Sequence, residues 1–161
     1  MKAAVYTHYG PPEIVHLAEV DKPVAKDNEV LIKISASTVN RTDCGFRSAN
    51  YFIVRFWSGL IRPKNPVLGC EFAGVIEAIG KNVTLFKPGD KVFGYNDTKF
   101  GGHAEYMTMA EDDSLTTMPE NISFNEAAAC RQTRRWRPVP ARSAGVGCTL
   151  PHGRCGTCCR S

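Results

Sequence analysis

The polar run from residue 40 to residue 51 carries side chains well suited to chemistry. It reads Asn-Arg-Thr-Asp-Cys-Gly-Phe-Arg-Ser-Ala-Asn-Tyr. Amides and hydroxyls donate hydrogen bonds, and the carboxylates of Asp43 and of Glu71 could orient their neighbours by pairing with Arg47. The polar start and mixed spacing predict a short helix or turn, capped by Asn40 or Thr42. Capping is therefore an alternative to a chemical role for both residues.

Cysteine and histidine side chains could bind a metal or carry redox chemistry. Cys44 and Cys70 are the two thiols in the regularly patterned part of the chain, and no Cys-x-x-Cys sequence joins them. Cys70 is therefore most simply a small buried apolar residue. His103, within Gly-Gly-His-Ala-Glu-Tyr, is predicted to pack or hydrogen-bond locally rather than to bind a metal.

The composition changes abruptly after Cys130. Residues 1–130 hold 13 basic and all 16 acidic side chains, whereas residues 131–161 hold seven arginines and neither lysine nor acid. The net charge of +4 therefore combines two unlike pieces and does not indicate nucleic-acid binding. We interpret residues 130–161 as an aberrant, disordered tail produced by a shifted frame or an unspliced intron. The alternative is a zinc knuckle built from Cys148, His152, Cys155, Cys158 and Cys159.

The first part of the patterned chain is predicted to be mostly strand. Residues 3–6 and 14–20 are rich in β-forming side chains and flank a Gly-Pro-Pro turn, which predicts an opening hairpin. Residues 29–37 alternate as a half-buried strand does. Residues 52–66 are aromatic and basic without a clear period, and are predicted to be a loop.

The second part is also predicted to be β-rich. Glycines divide the run from residue 69 to residue 94 into short apolar stretches, and Pro88-Gly89 fits a type II turn. A further strand is predicted over residues 103–109. Ser123-Phe-Asn-Glu126 is a capping box that announces a short helix.

The length of 161 residues, of which 43% are hydrophobic, suits one compact domain. The sequence contains no apolar stretch long enough for a signal peptide or a membrane span. Because the patterned part holds too few cysteines for a disulfide framework, we expect a cytoplasmic protein.

Residues 69–94, beginning Gly-Cys-Glu-Phe-Ala-Gly-Val-Ile-Glu-Ala-Ile-Gly, resemble a segment of the medium-chain dehydrogenase/reductase superfamily. The likeness is strongest to its zinc-independent quinone oxidoreductase and alcohol dehydrogenase-like branch. It covers residues 1–129 and corresponds to the N-terminal GroES-like catalytic domain. It implies a mainly β fold, a partly open β-barrel with a few short helices. The Rossmann domain of the superfamily is absent from this sequence.

In zinc-dependent members of the superfamily, Cys-x-x-Asp and Gly-His-Glu-x-x-Gly sequences supply a cysteine and a histidine to the catalytic zinc. This chain has Asn40-Arg-Thr-Asp43 and Gly69-Cys-Glu-Phe-Ala-Gly74 at those places. A neutral amide is a poor zinc ligand, and the cysteine run of the structural zinc is missing from residues 81–110. We therefore expect neither zinc.

The zinc-independent branch carries an Asn-x-x-Asp-x-x-x-Arg pattern, which this chain matches from Asn40 to Arg47. The resemblance implies that Asn40 lies near the nicotinamide and the substrate carbonyl, where its amide could donate to an oxygen that gains negative charge. Thr42 and Tyr51 are the other candidate proton donors. The predicted catalytic residues are Asn40, Thr42 and Tyr51, and the predicted substrate-proximal or cofactor-proximal residues are Asp43, Arg47, Cys70 and Glu71.

The resemblance implies hydride transfer, with NADP(H) or NAD(H) as cofactor, to or from a quinone, an enone or a small carbonyl or alcohol. The chain would be the catalytic-domain half of such an oxidoreductase and inactive alone, because the part that binds the cofactor tightly is missing. The alternatives are a non-enzymatic barrel module that binds a partner protein and zinc binding through the cysteine-rich tail. We expect no membrane or nucleic-acid partner, and the substrate, the choice of NAD or NADP and a homo-oligomeric state stay open.

Overall fold

A computed structural model of the chain describes residues 1–50 and 52–130. Tyr51 and the tail from residue 131 onward lie outside this part, so the predictions of a disordered tail and of a zinc knuckle stay predictions. Within the described part, no helix is both long enough and apolar enough to cross a bilayer.

The described residues form seven strands and three short α-helices, together with a 3-10 turn at Pro12–Ile14. The strands are β1 Lys2–Val5, β2 His16–Glu19, β3 Glu29–Ser37, β4 Glu71–Ile79, β5 Lys91–Tyr95, β6 Tyr106–Ala110 and β7 Leu115–Thr117. The helices are α1 Arg41–Ser48, α2 Phe52–Ser58 and α3 Phe124–Ala129. The predicted mainly β fold with a few short helices is confirmed.

Five strands form one antiparallel sheet in the order β6-β3-β4-β5-β7, and β1 pairs with β2 as the predicted hairpin. The hairpin joins the rest of the fold through a bridge from Ala3 to Ala104 and another from Val5 to Val67. The two sheets do not close into a complete barrel. This agrees with the partly open architecture that the resemblance implies.

The main core lies against one face of the five-stranded sheet. Its largest fully buried side chains include Ile32, Phe72, Ile76, Met109 and Leu115. In a second hydrophobic cluster, Ala127 and Ala128 of α3 pack with Ala73 of β4. Small side chains on both sides allow this close approach of helix and sheet, which explains why six residues suffice for a packed helix.

Strand β3 departs from simple alternation. Val30 and Ile32 are buried as predicted, but Leu31 on the opposite face is buried as well. The first half of β3 is paired on both edges, with β4 on one side and β6 on the other. Pairing covers the edges of this half, and side chains on both of its faces are buried, so the half-buried pattern holds only from Lys33 onward.

Two local predictions about turns and caps are confirmed. Gly89 has a φ of 93°, the positive value that the third position of a type II turn requires. The Ser123 hydroxyl accepts a hydrogen bond from the Glu126 amide at 3.3 Å, and the Glu126 carboxylate accepts one from the Ser123 amide at 2.8 Å. This reciprocal pair is the predicted capping box.

The loop predicted over residues 52–66 is wrong in its first half, where α2 forms. The Ser58 hydroxyl donates to the Val54 carbonyl at 2.8 Å, and Gly59 ends the helix with a φ of 126°. Ile53 and Phe56 of this helix are both 69% exposed. Five of the seven positions in Phe-Ile-Val-Arg-Phe-Trp-Ser are apolar, so the sequence shows no single apolar stripe against a polar face, the pattern by which an amphipathic helix is recognised.

Candidate functional site

Asn40 is the N-terminal cap of α1. Its Oδ1 accepts hydrogen bonds from the amides of Thr42 at 2.8 Å and Asp43 at 3.2 Å, while Asp43 Oδ2 accepts from the Asn40 amide at 2.9 Å. The capping interpretation of Asn40 is therefore confirmed. The cap uses only the side-chain oxygen. The Nδ2 group carries two N–H donors, and its hydrogen bond with Cys70 uses one of them, so the other can serve a substrate and capping does not exclude catalysis by Asn40.

Asp43 connects α1 to the start of β4. It is only 2% exposed, and its Oδ1 accepts from the Gly69 amide at 3.0 Å and from the Cys70 thiol at 3.5 Å. Together with the Asn40 amide, three donors point at this one carboxylate. Asp43 thus fixes the position of Asn40 relative to Cys70, which is the orienting role predicted for a neighbour of the site.

Cys70 is fully buried and acts as a thiol rather than as a thiolate. Burial is the main cause that raises the pKa of its thiol, and the nearby negative charge of Asp43 raises this pKa further. The Asn40 side chain, which hydrogen-bonds Cys70, acts in the opposite direction and is outweighed. The neutral thiol donates to Asp43, so its geometry agrees with the interpretation of a small buried residue.

Gly69 is required where β4 approaches the segment before β6. Its φ is 100°, and a Cβ at this position would lie 2.5 Å from the His103 amide nitrogen. The Gly102 amide donates to the Gly69 carbonyl at 2.9 Å. The ring Nε2 of His103 lies 2.9 Å from the Thr38 carbonyl, so the local bonding predicted for this histidine is confirmed.

Glu71 binds the end of β3 rather than Arg47. The Thr38 hydroxyl donates to the Glu71 carboxylate, and the Ser37 hydroxyl donates to the Glu71 carbonyl at 2.8 Å. None of the ion pairs in the described part of the chain involves Arg47. Its Nη1 is buried without a hydrogen-bond acceptor. Asp43 and Glu71 therefore orient their neighbours through backbone and side-chain donors, not through the arginine.

Tyr6, at the end of β1, is a polar residue of the site region that the sequence did not reveal. Its side chain is 2% exposed and packs in a cluster with Leu68, Cys70 and Phe100. Burial is the main cause that raises the pKa of Tyr6 to about 12, with smaller contributions from Tyr9 and Asp43. In the sequence, Ala-Ala-Val-Tyr has the pattern of an ordinary core strand, and no signal separates this tyrosine from a packing residue.

Residues 26–120, which form β3 to β7 and their connections, match the alcohol dehydrogenase GroES-like domain family. The chain belongs to this family. Quinone oxidoreductase of Sus scrofa is 38% identical over 130 residues, a match that covers 80% of this chain and 37% of that protein. The NADPH-dependent alkenal/one oxidoreductase, chloroplastic, of Arabidopsis thaliana is 33% identical over 136 residues, covering 80% of this chain and 33% of that protein.

Solved structures agree with this family. The quinone oxidoreductase from Coxiella burnetii matches with a TM-score of 0.70 and 29% identity, covering 80% of this chain and 40% of that one. The resemblance to the medium-chain dehydrogenase/reductase superfamily is confirmed. The chain spans only 37% of the length of the Sus scrofa relative. Most of the sequence of that relative therefore lies outside the matched region.

Thr42 and Tyr51 are the other two residues predicted to be catalytic in this GroES-like domain. Thr42 is half-buried in the first turn of α1, and its hydroxyl forms no hydrogen bond with the described residues. Tyr51 lies outside the described residues, so its place in the site stays a prediction. Of the predicted set, the structure brings Asn40, Asp43 and Cys70 into direct contact through hydrogen bonds.

The resemblance places Asn40 and Cys70 at the positions that bind zinc in zinc-dependent members of the superfamily. Asn40 stands at one of them, with its side-chain oxygen bound to two amides, and Cys70 stands at another, with its thiol bound to Asp43. Over residues 1–50 and 52–130, no group of three or more His, Cys, Asp or Glu side chains is placed to hold a metal ion. The side chains of Asn40 and Cys70 are thus both engaged by protein groups, and the expectation of neither zinc stays a prediction.

Proposed function

We propose that this chain is the catalytic-domain part of a zinc-independent, NAD(P)(H)-dependent oxidoreductase. Its substrate would be a small molecule with a quinone, enone or carbonyl group, or the corresponding alcohol. The main support for this proposal is the hydrogen bonding of the Asn40 side chain at the start of α1. Its side-chain oxygen is committed to the cap of α1, and its Nδ2 is therefore a fixed donor at the place where zinc-dependent relatives have a metal ligand.

A fixed donor of this kind suits reduction of a carbonyl group. When bound, the nicotinamide supplies a hydride to the electrophilic carbon. The substrate oxygen then gains negative charge, and a preorganised donor such as Asn40 Nδ2 stabilises that charge. Thr42 and Tyr51 carry hydroxyls that would deliver a proton to this oxygen. Asp43 holds Asn40 in position through the Asn40 amide at 2.9 Å.

The cofactor itself does not fit this part of the chain. Dinucleotides bind at the carboxyl ends of parallel strands, next to a helix N-terminus. The strands formed by residues 1–50 and 52–130 pair only in antiparallel fashion. We therefore propose that the cofactor is held by another domain of a longer protein. The name of the Arabidopsis thaliana relative makes NADPH the first cofactor to test, and its alkenal/one substrates favour enones.

The test uses a chimera and the unmodified chain. In the chimera, residues 1–129 replace the matching part of the Sus scrofa quinone oxidoreductase, which is 38% identical there. We expect the chimera to bind NADPH and to oxidise it with a quinone or an enone, whereas the 161-residue chain binds neither NADPH nor NADH measurably. A chimera that binds NADPH but reduces none of these substrates would contradict the proposed function. Saturable NADPH binding by the chain alone would contradict its status as a part of the enzyme.

Exposed apolar side chains favour a second candidate function, a module that binds a partner protein. Leu17 is 77% exposed and Val39 is 75% exposed, and Ile61 is exposed as well. Large exposed apolar patches mark interaction surfaces. The oligomeric state of the full chain by analytical ultracentrifugation, with a Leu17→Ser and Val39→Ser variant as control, tests it. A monomer at all concentrations would rule out self-association as the reason why these apolar side chains are exposed.

A further inference from the structure

An open groove lies between the β1–β2 hairpin, the end of β3 and helix α1. Its volume is about 750 Å³, within the range of roughly 300–1,000 Å³ in which small-molecule sites fall. Apolar side chains dominate its lining, among them Val15, Leu17, Ile34 and Val39. Polar groups are few, as in sites where a small number of donors orients an otherwise apolar ligand.

Arg47 borders this groove and lacks an acceptor. Its Nη1 is buried and makes no hydrogen bond, and none of the ion pairs in the described residues involves this arginine. An unsatisfied buried donor on a charged group is costly. The arrangement therefore favours an anion, which would give the guanidinium the acceptor that it lacks.

The carboxylates that border the groove do not serve as the acceptor that Arg47 lacks. Asp43 is occupied by the amides of Asn40 and Gly69 and by the thiol of Cys70. Glu105 accepts a hydrogen bond from the Lys2 amide at 2.8 Å. Both residues border the groove, and neither pairs with Arg47. Arg47 can therefore donate to an acceptor that comes from outside the described residues.

Tyr6 supplies a second donor at the same groove. Its side chain is 2% exposed and lines the groove, and its hydroxyl can donate a hydrogen bond to a ligand there. One planar guanidinium and one hydroxyl match the two oxygens of a carboxylate. Lys2 also lines the groove, but the acidic Asp43 and Glu105 border it as well and disfavour a ligand with more negative charge, such as a phosphate.

We propose that this groove binds a small aliphatic carboxylate, with Arg47 and Tyr6 donating to the carboxylate and the apolar lining packing against the aliphatic part. Such binding goes beyond the proposed oxidoreductase function, because it needs neither a nicotinamide nor hydride transfer. The site is built by β1, β2, β3 and α1, all of which the chain contains.

The test is a titration of the full 161-residue chain with decanoate and, separately, with 1-decanol, which has the same aliphatic part and no charge. A charge-assisted hydrogen bond is expected to make decanoate bind at least about tenfold more tightly than decanol. Arg47→Met lowers the decanoate affinity about tenfold and leaves the decanol affinity unchanged. Tyr6→Phe lowers it about two- to tenfold. Arg41→Met is the matched control, because Arg41 lies exposed on the same helix and does not line the groove.

Backbone amide shifts measured by NMR during the wild-type titration locate the ligand. Shifts confined to β1, β2, the end of β3 and α1 support the proposal. Equal affinity for decanoate and decanol, shifts elsewhere, or an Arg47→Met variant that binds decanoate as the wild type does would overturn it. If Arg47→Met does not fold, the wild-type comparison of the two ligands still decides, because adventitious binding to exposed apolar side chains would not distinguish them.

Discussion

Replacement of Asp43 by alanine should destabilise this domain far more than the loss of an ordinary helix cap. Asp43 accepts hydrogen bonds from the amides of Asn40 and Gly69 and from the thiol of Cys70, and it is 2% exposed. Loss of the capping interaction costs about 1 kcal/mol. The Gly69 amide would be left buried without an acceptor, which costs about 1–3 kcal/mol. The expected decrease in the free energy of unfolding is therefore about 2–4 kcal/mol.

The assay is urea unfolding followed by circular dichroism, with Glu126→Ala as the matched control. Both residues occupy the third helical position of a capping box, but Glu126 is exposed and bonds only with Ser123. The difference between the two variants isolates the bonds that Asp43 makes to the start of β4. Equal losses in both variants would refute the argument that Asp43 connects α1 to that strand.

Further predictions concern two glycines and a tyrosine. Gly69→Ala should cost about 2–4 kcal/mol or prevent folding, because the φ of 100° and the approach to His103 at 2.5 Å leave no room for a Cβ. Gly45→Ala, in helix α1 where no atom lies within 4 Å of the new Cβ, should instead raise the unfolding free energy by up to about 1 kcal/mol. For Tyr6, the folded pKa is about 12, above the value of about 10 expected when unfolded. The folded protein keeps this proton longer, so its stability is intact below about pH 10 and falls as the pH rises from there to about 12. Tyr6→Phe should lack this part of the alkaline destabilisation in unfolding curves recorded from pH 9 to 12.

Local signals in the sequence predicted the parts of the fold that local chemistry decides. The caps at Asn40 and Ser123 and the turn at Gly89 are each specified by residues within a few positions of one another. The family resemblance located the domain and the Asn40 region. Helix α2 was missed because most of its seven positions are apolar, so the sequence shows no contrast between an apolar and a polar face.

Contacts between distant segments could not be predicted in this way. Glu71 bonds with Thr38 because the antiparallel pairing of β3 and β4 brings the start of β4 beside the residue that follows β3. Arg47 has no ion pair in the described residues. The place of Tyr6 in the groove likewise depends on how the hairpin, β3 and α1 come together. Nothing in the spacing of these residues along the chain encodes such distances.

The most direct test of the proposed function is the Asn40→Ser variant in the chimera with the Sus scrofa quinone oxidoreductase. Serine caps a helix about as well as asparagine does, but it has no Nδ2 group. Loss of a preorganised donor to the charged oxygen should lower kcat about 10²- to 10³-fold, while the free energy of unfolding changes by less than about 0.5 kcal/mol. An unchanged kcat in a chimera that still binds NADPH would contradict the role of Asn40 in hydride transfer.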